Sequence, residues 1–185
     1  LNRQSARLKK LTEDLVEASK ASSGSLPVHL APTDVNVLLS QLAGDYIEKL
    51  EGAQLEPIFH PAPSQPVIQA DGQLLSRVLG NLFSNICKYA MPGTRVYFES
   101  TADEKTVSLT FKNISKYELN IPAEELMARF VRGDRARHTE GSGLGLSIAQ
   151  SLTELQGGTF HIEIDGDLFK AVVTFPRARA ESAQL

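Results

Sequence analysis

Apolar residues recur along this chain in two rhythms, one helical and one alternating, and the switch between them divides it into elements. In "LNRQSARLKKLTEDLVEASKASSG", Leu1, Leu8 and Leu15 stand seven apart, with Leu11 and Ala18 in the second register. That spacing is a short heptad seam or the apolar stripe of a plain amphipathic helix. Asp34 is placed to cap a helix over "VNVLLSQLAGDYIEKLEG", and Asp71 one over "GQLLSRVLGNLFSNICKYA", both with apolar spacings of three and four. "LEPIFHP" and "QPVIQA" are short, proline-bounded strand candidates, and "TRVYFEST" with "KTVSLTFKN" predicts a hairpin around "ADEK". "PAEELMARF" predicts a short helix. A further helix runs through "LSIAQSLTEL" to Gly157 and Gly158, before the strands "TFHIEI" and "AVVTFP".

The order of these elements mixes helices with hairpins and does not alternate strictly. It predicts an α/β sandwich, a mixed sheet covered on one face by helices and preceded by a partial coiled-coil helix. The expected divisions are 1–22 as the end of a helical element, 23–33 as linker, 34–178 as the main domain and 179–185 as a tail.

Length and composition suit one domain: 185 residues, 42% hydrophobic and 22% charged. A net charge of −3 argues against a nucleic-acid surface, which needs an extended basic face. No apolar run reaches the roughly 18 residues of a membrane span, so a soluble segment is expected. The single Cys87 excludes a disulfide framework and fits a reducing compartment.

Two stretches carry candidate chemistry. In "RHTEGSGLGLS" the glycines Gly141, Gly143 and Gly145 precede a helix, an arrangement that aims main-chain amides at an anion. Arg129, Arg132, Arg135 and Arg137 lie just upstream. The spacing is not that of a dinucleotide fingerprint, and Leu146 and Ser147 stand where a P-loop needs Lys and Ser/Thr. The strand lysine and catalytic-loop Asp of Ser/Thr/Tyr protein kinases are also missing. In "RVLGNLFSNICKYA", Asn81 and Asn85 stand four apart on one helical face, with Lys88 three further on. Amide oxygens ligate a hard cation such as Mg²⁺ and a lysine holds phosphate, although a polar surface stripe has the same spacing.

"NLFSNICKYA" resembles the N box, and "GSGLGLSIA" the second glycine box, of the ATP-binding catalytic domain of sensor histidine kinases, in the superfamily of gyrase, chaperone, kinase and MutL ATPases. "RFVRGDRARHTEGSGLGLSIAQSLTELQGG" is similar to the F box and lid leading into that glycine box, and the first helix resembles the end of the dimerisation and phosphotransfer hairpin. The resemblance implies the Bergerat-type ATP-binding fold, with ATP and Mg²⁺ as cofactors. It implies Asn85 as principal Mg²⁺ ligand and Asn81 as a second, Lys88 on phosphate and Tyr89 near the nucleotide. Phe130 would anchor the lid. Arg132 and Arg137 would contact phosphate or a partner, and the amides of Gly143, Leu144 and Gly145, with Gly141 in the same loop, would face the triphosphate.

Hydrolytic members carry a general-base Glu where this chain has Asn81, and an amide cannot be that base, so transfer to a supplied nucleophile is favoured. None of His29, His60, His138 and His161 stands in a phosphoacceptor context, so the acceptor is expected outside this segment. Where the family's first glycine box reads Asp-x-Gly-x-Gly, "NISKY" supplies Asn113 and no glycine, which marks Asn113 as the residue toward the base. The implied partners are a response-regulator receiver domain and the protein's own phosphotransfer domain. The complete protein would be a homodimer in the bacterial membrane, with this segment in the cytoplasm. Two alternatives stay open: a degenerate domain that binds partners without nucleotide, and a serine kinase of the anti-sigma type.

Overall fold

The structure is a computed structural model that describes residues 3–119, 122–125, 127 and 144–178. In chain order the elements are α1 (Arg3–Ser22), β1 (Ala31–Asp34), α2 (Val35–Gly52), β2 (Glu56–His60), β3 (Val67–Ala70), α3 (Gly72–Tyr89), β4 (Arg95–Ala102), β5 (Thr106–Ile114), α4 (Gly145–Leu155), β6 (Thr159–Asp165) and β7 (Leu168–Pro176). Residues 123–125 are also helical, as expected for the start of "PAEELMARF".

Five strands form one mixed sheet in the order β2-β4-β5-β7-β6. Only β2 and β4 run parallel; the other neighbours are antiparallel, and β4 pairs with β5 as the expected hairpin. Alternation holds along β4 and β5 and, apart from the buried Val172, along β7. Val96, Phe98 and Ser100 of β4, Val107, Leu109, Phe111 and Asn113 of β5, and Phe169, Ala171, Val173 and Phe175 of β7 are buried. The intervening Tyr97, Glu99, Thr110 and Lys112 are only partly covered. A period of two therefore gives one face to the helices and the other to solvent.

The helices begin where the sequence places caps. Asp34 accepts from the backbone N–H groups of Asn36 and Val37, and Asp71 from those of Gln73 and Leu74. At its end α4 is stopped by Gly157 at φ +85, a left-handed conformation that glycine adopts without strain. Leu75, Leu79, Leu82, Phe83 and Ile86 turn one face of α3 into the core. Phe83 stacks on Phe98 at 4.5 Å between ring centroids, meets Phe111 edge-on at 5.3 Å and stacks on Tyr46 of α2 at 5.0 Å. This aromatic cluster fixes α3 against the sheet and α2 against α3.

One expectation is corrected. Residues 31–34, within and just past the stretch read as linker, form β1, which pairs antiparallel with β3 in a separate two-stranded sheet. Alternation over so few residues is too short to see, and the pairing partner lies more than thirty positions along the chain. The first helix is amphipathic, one of the two readings its spacing allows. Leu8 and Leu15 are 66% and 62% exposed, whereas Leu11 is half-buried, Ala18 packs on the core and Asp14 and Ala21 are buried. One register faces solvent and the other faces the domain, because α1 lies against α4.

Candidate nucleotide site

The buried stripe of α3 determines what its other face can hold. At 100° per residue, Arg77, Asn81, Asn85 and Lys88 fall opposite Leu79, Phe83 and Ile86, on the side away from the sheet. Asn81, Asn85, Lys88 and Tyr89 are all half-buried. The Nδ2 of Asn81 is buried without a hydrogen-bond partner among the described residues.

The C-terminal end of α3 is stitched to the end of β5. Met91 N–H donates to the Ile114 carbonyl (2.8 Å), Lys116 N–H donates to the Tyr89 carbonyl (2.9 Å), and Ala90 bridges Ser115. These bonds join the end of β5, where Asn113 is the last buried residue of the strand, to the C-terminal end of α3. Asn113 is 2% exposed, and its Oδ1 has no donor among the described residues. A buried acceptor left unpaired costs about 1–3 kcal/mol, so such an atom is expected to meet a donor in the working complex.

The start of α4 differs from the other capped helices. Asp34 and Asp71 cap α2 and α3, but α4 begins at Gly145 after Leu144, with no side-chain cap among the described residues. The first amides of a helix have no intrahelical acceptor and sit at its positive dipole end, so an uncapped start can take an anion. Leu144 accepts from Ile148 N–H and from the Ser147 hydroxyl, both at 2.9 Å, which anchors the first turn. Because α4 packs along α3, this start belongs to the same helical layer as the asparagine face. Phe130, Arg132, Gly141 and Gly143 lie outside the described residues.

An amide pair, an ammonium, an uncapped helix start and an unpaired buried amide together suit a cation-bearing anionic ligand with an amine-bearing base. Asn113 Oδ1 fits the amine, α4 fits phosphate, and the neutral oxygen donors of Asn81 and Asn85 fit Mg²⁺. Cys87, beside them, is inert: burial pushes its thiol up, and it stays protonated at neutral pH.

The opposite sheet face holds a different cluster. A shallow 350 Å³ depression there is lined by Glu99, Thr110, Lys112, Glu163, Asp165, Leu168 and Lys170. Burial pushes the Glu99 carboxyl up, but hydrogen bonds from Lys112 and His60 outweigh it and hold it low. Glu163 is held low by Lys170 and then His161. Paired in this way, the cluster is a solvated charged face, and it places His60 and His161 on the side of the sheet away from α3.

The fold is an α/β domain in which an asparagine-bearing helix and a helix opened by glycine lie in one layer on a mixed sheet. Residues 70–179 match the family described as histidine kinase-, DNA gyrase B- and HSP90-like ATPase, and the chain belongs to that family. It is 31% identical over 172 residues to the sensor histidine kinase HprS of Escherichia coli K12, covering 92% of this chain and 37% of that protein. To the signal transduction histidine-protein kinase BaeS of the same organism it is 31% identical over 153 residues, covering 82% and 32%. The chain thus spans about a third of the length of these curated relatives.

Among solved structures, full-length ShkA in complex with AMPPNP superposes with a TM-score of 0.77 at 24% identity, covering 96% of this chain and 38% of that one. The Acinetobacter baumannii histidine kinase AdeS gives 0.71 at 17%, covering 91% and 77%. At these identities the likeness concerns the fold. The expected mixed sheet with helices on one face is the fold that these structures share.

Sequence reasoning missed one residue of the α3 face. Arg77, one turn before Asn81, binds Asp14 and Glu17 of α1. The signal was present in the fourfold spacing of 77, 81 and 85, but nothing local shows which helix an arginine will meet.

Proposed function

We propose that this chain is the ATP-binding catalytic domain of a two-component sensor histidine kinase, which directs the γ-phosphoryl group of Mg·ATP to a histidine outside the segment. The observation that carries this reading is the buried Asn113 Oδ1, without a donor among the described residues, in the strand whose end is bonded to the end of the helix that bears Asn85, Lys88 and Tyr89. Asn85, with Asn81, would hold Mg²⁺ through amide oxygens. Lys88 would neutralise phosphate charge, and the amides that open α4, with Gly143 before them, would orient the phosphate oxygens. Bound Mg²⁺ would supply charge neutralisation for phosphoryl transfer. With an asparagine at position 81, no carboxylate one turn before Asn85 can activate water, which favours transfer over hydrolysis.

Phe130 would anchor the segment before the glycines, and Arg132 and Gly141 would complete the phosphate side. The proposed divisions remain 1–22 for the end of the phosphotransfer helix, 23–33 for the connection, although β1 begins within it, 34–178 for the catalytic domain and 179–185 for the tail. The solved complex of histidine kinase ThkA with the response regulator TrrA, of similar fold, supports a receiver domain as partner. The longer protein would be a membrane-associated homodimer with this segment in the cytoplasm. No helix of the described residues is long and apolar enough to cross a membrane.

Calorimetric titration with ATP, with and without Mg²⁺, tests the reading. The unaltered chain binds Mg·ATP, and Asn85→Ala weakens binding about tenfold or more, by loss of a ligand to the hard cation, without changing the far-UV spectrum. Absence of binding by the unaltered chain refutes the reading and leaves an interaction module in its place.

A further inference from the structure

The two edges of the main sheet are guarded unequally. At one edge β2 has five residues, contains Pro57 and is followed by Pro61 and Pro63, none of which has an N–H to offer a neighbouring strand. At the other edge β6 runs seven residues in unbroken register with β7, without proline, lysine or bulge. Which of its main-chain groups are free follows from the strands beside it. The Ser115 N–H donates to the Asp167 carbonyl at 2.7 Å, so odd-numbered residues of β7 bond toward β5 and even-numbered ones toward β6. Through the register, Thr159, His161, Glu163 and Asp165 bond to β7, whereas Phe160, Ile162 and Ile164 turn their N–H and C=O groups to the open edge. No strand among the described residues pairs with that edge.

The side chains of β6 match a second copy of the same strand. Laid antiparallel and centred on Ile162, two copies set Phe160 against Ile164 and Ile162 against itself on the helix side of the sheet, and His161 against Glu163 and Thr159 against Asp165 on the open side. No like charges are opposed. Centring on Glu163 or on Ile164 instead sets acid against acid, so charge selects the register. In the favoured register the outward-bonding residues fall in the hydrogen-bonded positions, with about six main-chain bonds in all, and His161 and Glu163 fall between them, where facing side chains come closest.

We propose that β6 is a self-association edge, at which two copies of the chain join their sheets across a twofold axis with His161 of each facing Glu163 of the other. The pairing is isologous, so each contact occurs twice and the dimer closes. It uses no residue of α1 and none of the candidate nucleotide contacts, so it is compatible with the homodimer proposed for the longer protein and does not depend on the nucleotide reading.

Sedimentation and amide exchange of the 185-residue chain test the edge. Pairing of this size is weak, so the weight-average mass is expected to rise about twofold between about 10 μM and about 1 mM. Over that range, exchange at Phe160, Ile162 and Ile164 slows about fivefold, while exchange at His161 and Glu163, already bonded to β7, is unchanged. The His161 side chain is 52% exposed, so its replacement leaves the fold intact. His161→Glu opposes two carboxylates at two symmetric places and weakens association about tenfold, whereas His161→Lys strengthens it about threefold or more. Glu163→Lys alone also weakens association, and mixed with His161→Glu it restores it, because lysine then faces glutamate. If Glu163→Lys, which loses its bond to Lys170, does not fold, the two His161 variants decide the matter. A chain that stays monomeric at about 1 mM, slowed amides that lie elsewhere, or His161 variants that shift association in the same direction overturn the proposal.

Discussion

Asn113→Asp is expected to sharpen the preference for ATP over GTP. The side chain is 2% exposed at the end of β5, and its Oδ1 lacks a donor among the described residues. Adenine presents an amine donor, whereas guanine presents a carbonyl acceptor at the equivalent position. A carboxamide serves either base, because rotation by half a turn exchanges its oxygen for its amine. A carboxylate has acceptors only, so guanine would set two acceptors against each other in a buried site.

A well-placed polar contact of this kind discriminates bases by about 1–3 kcal/mol, or one to two decades in relative affinity. A lost partner for a buried group costs a similar amount. The assay is competition between ATP and GTP for each variant, with Mg²⁺ in excess. The ratio of dissociation constants within one variant cancels any change in stability, provided that circular dichroism shows both folded. The ATP:GTP affinity ratio should rise about tenfold or more in Asn113→Asp. An unchanged ratio would show that Asn113 does not face the base and would refute the placement of the base beneath the end of α3.

Two further predictions concern stability. Asp71 accepts from the backbone N–H groups of His29, Gln73 and Leu74, and the His29 bond does most to hold its carboxyl below the usual range, against burial, which pushes it up. With the folded value depressed, its contribution is present above the unfolded value of about 4 and is lost as pH falls through the folded one. Urea denaturation of Asp71→Asn should therefore show a shallower loss of stability below about pH 4, whereas Asp71→Ala should lose about 0.5–2 kcal/mol at pH 7 for the missing cap. A Cβ added at Gly158 would lie 2.7–2.9 Å from three ring carbons of Phe175, so Gly158→Ala should cost about 1–3 kcal/mol in the same assay, and an unchanged midpoint would contradict that packing.

The sequence by itself determined the elements whose signals are local. Asp34 and Asp71 cap their helices because an Asx side chain reaches N–H groups two and three residues on, and no distant contact is needed. Gly157 ends α4 for a similarly local reason, and the β4–β5 hairpin follows from alternation on both sides of a polar turn. The asparagine face of α3 and the glycine-initiated helix were legible too, since a helical period maps spacing directly onto direction.

Tertiary structure decided everything that depends on a partner far away in the chain. The β1–β3 pairing, the bonds that join the end of β5 to the end of α3, and the turning of Leu11 and Ala18 toward the domain each join segments tens of residues apart. An apolar or polar stripe states that a face seeks cover or contact. Which surface supplies it is settled only when loop closure, packing and charge pairing are satisfied together, and Arg77 finding Asp14 and Glu17, more than fifty positions back along the chain, is an outcome of that kind.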